Sequence, residues 1–429
     1  MIRLPRRFRY LAGAELWERF ALHGVKSLLT LYLVQHVLAQ NSTGVWGLAA
    51  FRSWLEAVWG PLSPSAFASQ TYGLYAALTY FVLPFGGAIG DRCQGRRAAV
   101  VLGACLVGIG AACLASAWLL LPALAILILG TGLLKANLAA QVGELFPVHD
   151  KRRSGAFAIY LAFLNLGVML GPLVCGWLAQ SRGWAYAFGA AGLAMMLGLM
   201  TYLRVPGMAR AETRSERPEA ASPAALPGRP SLAIVAAVIA VVVLCFCAYE
   251  QVTNLFLIWI AANVRLDLGG FHIPPAWFAS ADGVFTIAMV LATTRLRLFA
   301  RLRDGDRLAL GCLALICGYG GLAAATRLGL TSIAVPLGVL ALLDLGIALV
   351  WPAGLAIVTA AAPKGLAGVM AGLFYLHGFF ANLVVGTVGV FYDRMAVPAF
   401  WGLHAAIAGL GLALALLVRA PVNRTGQAG

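Results

Sequence analysis

The stretch "AELWERFALHGVKSLLTLYLVQHVL", residues 14–38, reads as one long apolar helix with Glu15, Glu18, Arg19 and Lys26 inside it. Whether that helix lies in water or in a bilayer decides the fold, and the rest of the chain answers. Hydrophobic residues make up 61% of the 429 and charged residues 11%, with a mean hydropathy of +0.87. Soluble domains carry roughly 25% charged residues. A chain of this size in water needs a polar skin that this composition cannot supply. The bilayer is the natural solvent.

Apolar runs of about 20 residues, long enough to cross a membrane as a helix, number twelve. They lie near 12–39, 66–90, 98–117, 120–145, 154–179, 184–204, 231–262, 275–294, 308–326, 331–359, 366–391 and 397–418. The net charge of +15 could suggest a nucleic-acid partner, but its placement argues otherwise. With the amino terminus set in the cytoplasm, 23 of the 31 Lys and Arg fall on the cytoplasmic side and three lie within spans. Only Arg52, Arg182, Arg265, Arg327 and Arg394 fall outside. That bias is the positive-inside rule. It makes nucleic acid unnecessary and puts both termini in the cytoplasm of a multi-pass plasma (inner) membrane protein. The eight cysteines are scattered through apolar spans, Cys93 excepted, without metal-ligand spacing; they read as small core fillers, and no metal is expected. A charged first turn running into Glu15 and Glu18 would spoil the apolar core of a cleavable signal peptide.

One segment is compositionally foreign. "GMARAETRSERPEAASPAALPGRPS" (207–231) is rich in Pro, Ala, Ser and charge and splits the spans six and six. It reads as a flexible cytoplasmic linker, 207–230, between six-helix bundles at 1–206 and 231–429. Each half has a basic loop between its second and third spans, at 91–97 and 295–307. Two six-helix halves related by a repeat are the layout of a major-facilitator transporter. "GAIGDRCQGRR" (87–97) matches the GxxxDRxxGRR cytoplasmic loop signature of that superfamily. Gly87 allows close helix contact, Gly95 a tight turn, and Asp91 can pair with an Arg at a sliding helix end, Arg92 and Arg96 being the basic residues of the pattern. These five are the gating candidates.

At 100° per residue Glu15, Glu18, Arg19 and Lys26 fall at about 0°, −60°, 40° and 20°, a stripe roughly 100° wide. Each unpaired charge at a span centre costs ~2.5–3.5 kcal/mol, so four would cost on the order of 10–14 kcal/mol. The stripe must face partners or water. Glu15 and Arg19 are i,i+4 neighbours and can pair, which leaves two charges unaccounted for. The other charges within spans are Lys135, Glu250, Asp282 and Asp344. Five acids against three bases would leave the interior at −2 if all were ionised, a composition suited to proton exchange, although pairing could hold every group in a fixed state. Charges in a membrane interior are functional by default.

These residues resemble the proton-dependent oligopeptide transporter family. Its first-helix pattern, ExxERFxYYG, keeps Glu15, Glu18, Arg19, Phe20 and Gly24 here, with Leu22 and His23 in place of the tyrosine pair. "GTGLLKANLA" (130–139) matches its fourth-helix pattern, and the run from 142 to 167 its approach to the fifth helix with Asn165. "YEQ" (249–251) and "PKGLAGVMAGLFYLHGFFAN" (363–382) match helices seven and eleven, with Phe374 where the family has Trp. The similarity runs from residue 14 to about 392. It implies a proton-linked cluster of Glu15, Glu18 and Arg19 faced by Lys135, and a Lys26–Glu250 pair between the halves that protonation breaks. Tyr80 and Asn165 would line the peptide site, with Phe374 and the pocket-facing His23 beside it.

The departures matter. The helix-ten glutamate that holds a peptide's amino terminus aligns with Ile347, and the helix-eight asparagine that assists it aligns with Asp282. Asp344 lies one turn from Ile347. A moved carboxylate, Asp282 with or without Asp344, would restore the negative end of the pocket.

The leading expectation is a non-enzymatic symporter that imports di- or tripeptides with protons and works as a monomer. It needs no cofactor beyond the proton gradient. The alternative is a family member that carries or exports another small solute, such as a nitrate-like anion or an amino-acid derivative. An intramembrane enzyme or sensor is the remaining class, and no GxxxxGK[ST], HExxH or GxSxG pattern supports it.

Overall fold

The computed structural model describes residues 4–40, 44–146, 153–206, 230–362 and 367–425. The linker expected at 207–230 lies outside the described residues except for Pro230, as does the basic loop 147–152. The described chain is almost entirely helical: α1 Arg6–Tyr32, α2 Leu48–Trp59, α3 Pro64–Phe81, α4 Leu83–Ile89, α5 Gly95–Cys113, α6 Leu120–Glu144, α7 Arg153–Ser181, α8 Trp184–Leu203, α9 Leu232–Tyr249, α10 Leu255–Asn263, α11 Trp277–Arg295, α12 Arg297–Ala300, α13 Asp304–Arg327, α14 Ala334–Ala360, α15 Ala367–Tyr375, α16 His377–Gly389 and α17 Val397–Thr425. Local sequence sets several ends. Ser63 and Ser231 cap α3 and α9 by accepting from the amides of Ala66 and Ile234, and Pro64 follows its cap at the first helical position.

Among the described residues, eleven helical segments are long and apolar enough to cross a membrane. The twelfth span is α1, whose 27 residues rise about 40 Å and carry the charged stripe. Three expected spans are interrupted. The second breaks at Val82, ahead of Pro84, between α3 and α4. The seventh breaks at the 3₁₀ turn Glu250–Thr253, and the eleventh at Leu376. Two features went unread in the sequence: a two-residue hairpin pairing Asp267–Leu268 with Phe271–His272, and α2, which lies between spans.

α2 buries Leu48 and Leu55 and exposes Trp54 and Val58. Arg52 donates to Glu56 (2.9 Å) and to the Leu62 carbonyl (2.6 Å), and the Leu62 amide donates back to Glu56 (3.1 Å). The Leu62 amide first, then the Arg52 guanidinium, hold the Glu56 carboxyl below the usual carboxylate range.

Contacts divide the chain into two compact units. The first holds the described residues through Ala68, those from Leu78 to 206, and Pro274–Gly283. The second holds Ser69–Ala77, the described residues from 230 to Ile273, and those from Val284 onward. In the first unit α1 packs on α7 and α8, and α5 on α6 and α8. In the second, α9 packs on α16 and α17, and α13 on α14 and α17. Numbered by span, these are 1 with 5 and 6, 3 with 4 and 6, then 7 with 11 and 12, 9 with 10 and 12. The scheme recurs with every number advanced by six.

Glycine makes the repeat physical. Apolar lipid gives no hydrophobic drive for helices to associate, so small residues that admit close approach carry the packing. A Cβ on Gly103 would stand 2.6 Å from the Leu134 amide and 2.8 Å from the Gly130 carbonyl; on Gly311 it would stand 2.5 Å from Val350 and 2.7 Å from the Gly346 carbonyl. The same glycine–glycine crossing thus joins α5 to α6 and α13 to α14.

The two exchanged segments are tied in by polar contacts. Within the second unit Asn254 donates to Ser69 (2.7 Å) and the Tyr72 and Thr253 hydroxyls are hydrogen-bonded (2.6 Å). Within the first, Trp277 donates to the Leu173 carbonyl (2.9 Å) and Ser280 to that of Met169 (2.7 Å).

Candidate functional site

The stripe on α1 points into the first unit. Glu15 and Glu18 are almost wholly buried, at 1% and 0% exposure, and Arg19 retains 11%. The sequence pairs Arg19 with Glu15, and the structure adds Glu18. Arg19 Nη2 and Nε donate to Glu15 Oε1 at 2.7 and 3.0 Å, while Nε also lies 3.2 Å from Glu18 Oε2. One guanidinium therefore serves two carboxylates, which its planar fork permits. Glu15 Oε2 and both oxygens of Glu18 are buried without a hydrogen-bond partner among the described residues. Unsatisfied buried acceptors are rare enough to mark a working site.

α7 reaches this cluster because glycines stand where it meets α1. A Cβ on Gly167 would stand 2.7 Å from Arg19 Cβ, and one on Gly171 would stand 2.9 Å from the Gly24 amide. That close approach carries Tyr160, two helical turns before Gly167, to hydrogen-bond Glu15. From α6, Lys135 faces the stripe within electrostatic reach of Arg19, Glu18, Glu15 and Lys26. Its Nζ lies 5.9 Å over the Tyr80 ring, a cation–π separation. His23 is half-buried beside Lys26, Arg19 and Lys135. Glu15, Glu18, Arg19, His23, Lys26, Tyr80 and Lys135 thus share one place in the first unit. With all its carboxylates ionised and its cations charged, the cluster carries +1. Such a face can attract a carboxylate and offers acids that can exchange protons. Asn165 is buried on α7, where its amide donates to its own helix at the Leu161 carbonyl (2.8 Å). Asp282 is half-buried in the α11 segment that belongs to the first unit.

In the second unit Glu250 opens the 3₁₀ turn at the break in span seven and is buried beside His377 and Cys247. His377 donates from Nδ1 to the Phe374 carbonyl (2.6 Å). Phe374 is fully buried, its ring 6.0 Å from Trp351 and 5.1 Å from His377. Asp344 is buried, and its Oδ1 accepts from Thr286 (2.7 Å) and Tyr249 (3.2 Å).

The loop signature takes its own shape. Gly90–Gln94 form a π turn, and Gly95 has φ +77°, a left-handed conformation that favours glycine. Arg96 donates to Asp91 (2.8 Å) and also pairs with Glu144 at the end of α6. Arg92 is exposed. The close helix contact expected at Gly87 falls on its neighbours instead. A Cβ on Gly87 would meet Ala136 at an ordinary 3.5 Å, whereas on Gly86 it would run into the Gly132 backbone, and on Gly90 into Asn137. Asn137 donates to the Gly86 carbonyl (2.9 Å) and ties α6 to α4.

Sequence reasoning missed Tyr160, Glu144, Tyr249 and Thr286. Tyr160 carried a faint signal, its spacing of seven from Gly167. Glu144 carried none, since its partner is 48 residues away.

The Major Facilitator Superfamily profile matches residues 28–386. The chain is 25% identical to the peptide transporter YePEPT of Yersinia enterocolitica subsp. palearctica serotype O:3 (strain YE-P4), over 88% of this chain and 86% of that one. It is 26% identical to the dipeptide and tripeptide permease B of Edwardsiella piscicida, over 94% and 89%. A mutant of the peptide transporter POT, solved in complex with alafosfalin, superposes with a TM-score of 0.81 at 23% identity, covering 99% of this chain and 95% of its own. The chain belongs to the Major Facilitator Superfamily, and the resemblance of its motifs to the proton-dependent oligopeptide transporters holds in sequence and in fold.

Proposed function

We propose that the protein is a proton-coupled symporter that moves di- and tripeptides or peptide-like compounds into the cell by alternating access of its two halves. The observation that carries this reading is the buried cluster of Glu15, Glu18 and Arg19 faced by Lys135. With Lys26 it combines a net positive face for a substrate carboxylate with acids that can take up and release protons. The names of the related permeases, which are peptide transporters, support the substrate class. The driving force is the proton gradient, with no further cofactor. Lys26 in the first unit and Glu250 in the second are the coupling residues that the motif resemblance implies, and Gly87, Asp91, Arg92, Gly95 and Arg96 are those of the gate. The working unit is a monomer in the plasma membrane with both termini in the cytoplasm.

A second reading has a specific basis. Leu22, His23 and Ile347 replace groups that the resemblance assigns to peptide binding, which fits a solute without a free amine or an exported one. Asp282, with or without Asp344, which accepts from two hydroxyls, is the candidate for the amine end.

The test is uptake of labelled di-alanine into proteoliposomes under an inward proton gradient, with and without a protonophore. Gradient-driven uptake suppressed by tripeptides supports symport, and Asp282→Asn should abolish it while the protein stays folded. Unchanged uptake in that variant removes Asp282 from the site. No di-alanine uptake alongside exchange of nitrate or an amino-acid derivative would replace the peptide reading with the second one.

A further inference from the structure

A cavity of about 390 Å³ opens at the end of the second unit where the carboxy-terminal turns of α17 meet the start of α13, lined by Arg303, Leu416, Arg419, Asn423 and Arg424 among others. Its volume falls in the range of small-molecule sites, ~300–1,000 Å³. Arg303, Arg419 and Arg424 stand on the lining, and Arg303 belongs to the basic run "RLRLFARLRDGDR" (295–307), which carries five arginines against Asp304 and Asp306. The aspartates are engaged locally. Asp306 accepts from Arg419 (2.5 Å) and Asn423 (3.2 Å), and Asp304 lies 3.9 Å from Arg307. Asn423 in turn accepts from the Gly305 amide (2.9 Å), which locks the last turn of α17 to the first of α13 and shapes the cavity. The rim is apolar along α17, where the lining Leu416 is 51% exposed and its chain neighbour Leu417 78%.

Guanidiniums gathered at the end of a membrane span, with exposed leucines beside them, match the two parts of one molecule: an anionic headgroup and the acyl chains next to it. We infer that this cavity is a binding site for the phosphate headgroup of an anionic phospholipid, with Arg303 and Arg424 as its phosphate ligands. Arg419 holds the cavity's shape through Asp306. A free phosphate would satisfy the arginines but not the leucine rim. The site lies outside the charged clusters assigned to transport, and its occupancy can be read without any transport assay.

The experiment uses the full chain in detergent, titrated separately with dioleoylphosphatidylglycerol, dioleoylphosphatidylcholine and inorganic phosphate. Lipid adducts are counted by native mass spectrometry and stability is followed by thermal unfolding. Phosphatidylglycerol should be retained and should raise the unfolding temperature, and the other two should do neither. Arg303→Gln with Arg424→Gln should weaken phosphatidylglycerol binding about thirtyfold, the combined effect of two cations at an anionic surface. Lysines at both positions should restore most of it. Should the double variant fail to fold, Arg424→Gln alone, exposed on the last turn, carries the test with an expected loss of about fivefold. Equal retention in wild type and variant, equal binding of phosphatidylcholine, or equal stabilisation by inorganic phosphate would each overturn the inference.

Discussion

Replacing Arg19 by Gln tests whether the α1 cluster is a desolvated network or a wet face. The side chains of Glu15 and Glu18 are 1% and 0% exposed, and Arg19 reaches both within 3.2 Å. Removing one partner of a buried pair leaves an uncompensated charge, at a cost of ~3–5 kcal/mol. Here two carboxylates lose the same partner, so the upper part of that range applies. Arg19→Lys keeps the charge but not the fork and should lose one of the two contacts, about 1.5–3 kcal/mol for a charged hydrogen bond. Neutralising all three positions, Glu15→Gln, Glu18→Gln and Arg19→Gln together, should recover most of the lost stability, because a buried network replaced as a whole leaves no stranded charge. The reference is Arg52→Gln in the half-exposed Arg52–Glu56 pair, worth about 0–1 kcal/mol. The assay is thermal unfolding of the four variants in one detergent. The expected order of destabilisation is Arg19→Gln, then Arg19→Lys, then the triple variant and Arg52→Gln together. If Arg19→Gln fell no further than Arg52→Gln, water rather than Arg19 would be solvating the two carboxylates, and the buried network would be refuted.

Three other outcomes follow from the same geometry. Lys135→Gln should lower gradient-driven uptake at least about tenfold, one charge–charge interaction's worth, while destabilising less than Arg19→Gln, because Lys135 meets the acids through space and rests over Tyr80; unchanged uptake would remove it from the mechanism. Gly103→Val and Gly311→Val should each cost about 1–3 kcal/mol or more by overpacking, whereas Gly320→Ala, with nothing within 4 Å of its Cβ, should be tolerated; unequal effects of the two valines would break the internal repeat. Glu56 has a depressed folded-state pKa, so its contribution is present above the unfolded carboxylate pKa and fades as pH falls through the lower folded value. The difference in unfolding temperature between wild type and Glu56→Gln should therefore be largest near pH 7 and shrink toward pH 3, and a difference independent of pH would show that charge plays no part.

Much of the molecule is written in local chemistry. The scarcity of charge names the solvent, runs of apolar residues place the spans, and angular spacing alone puts Glu15, Glu18, Arg19 and Lys26 on one face. Gly95 could be read as a turn because a left-handed backbone favours glycine wherever it occurs, and its φ is +77°. These readings succeed because they depend on neighbours within a turn or two of helix, or on the cost of moving a group from water to lipid.

What only the tertiary structure decided is who meets whom. Arg19 could be paired with Glu15 from the sequence, and family resemblance set Glu18 and Lys135 beside them, yet the arrival of Tyr160 at Glu15 depends on how closely α7 approaches α1. The approach of α7 is set by Gly167 and Gly171, whose effect exists only against a second helix. The loop signature likewise named Gly87, but the contact fell on Gly86 and Gly90, because the facing surfaces of α4 and α6 are fixed by crossing geometry and not by the motif. Glu144, at the end of α6, meets Arg96 from 48 residues away, a pairing no local pattern announces. Local sequence sets each helix and its faces; the pairing of faces is a property of the packed whole.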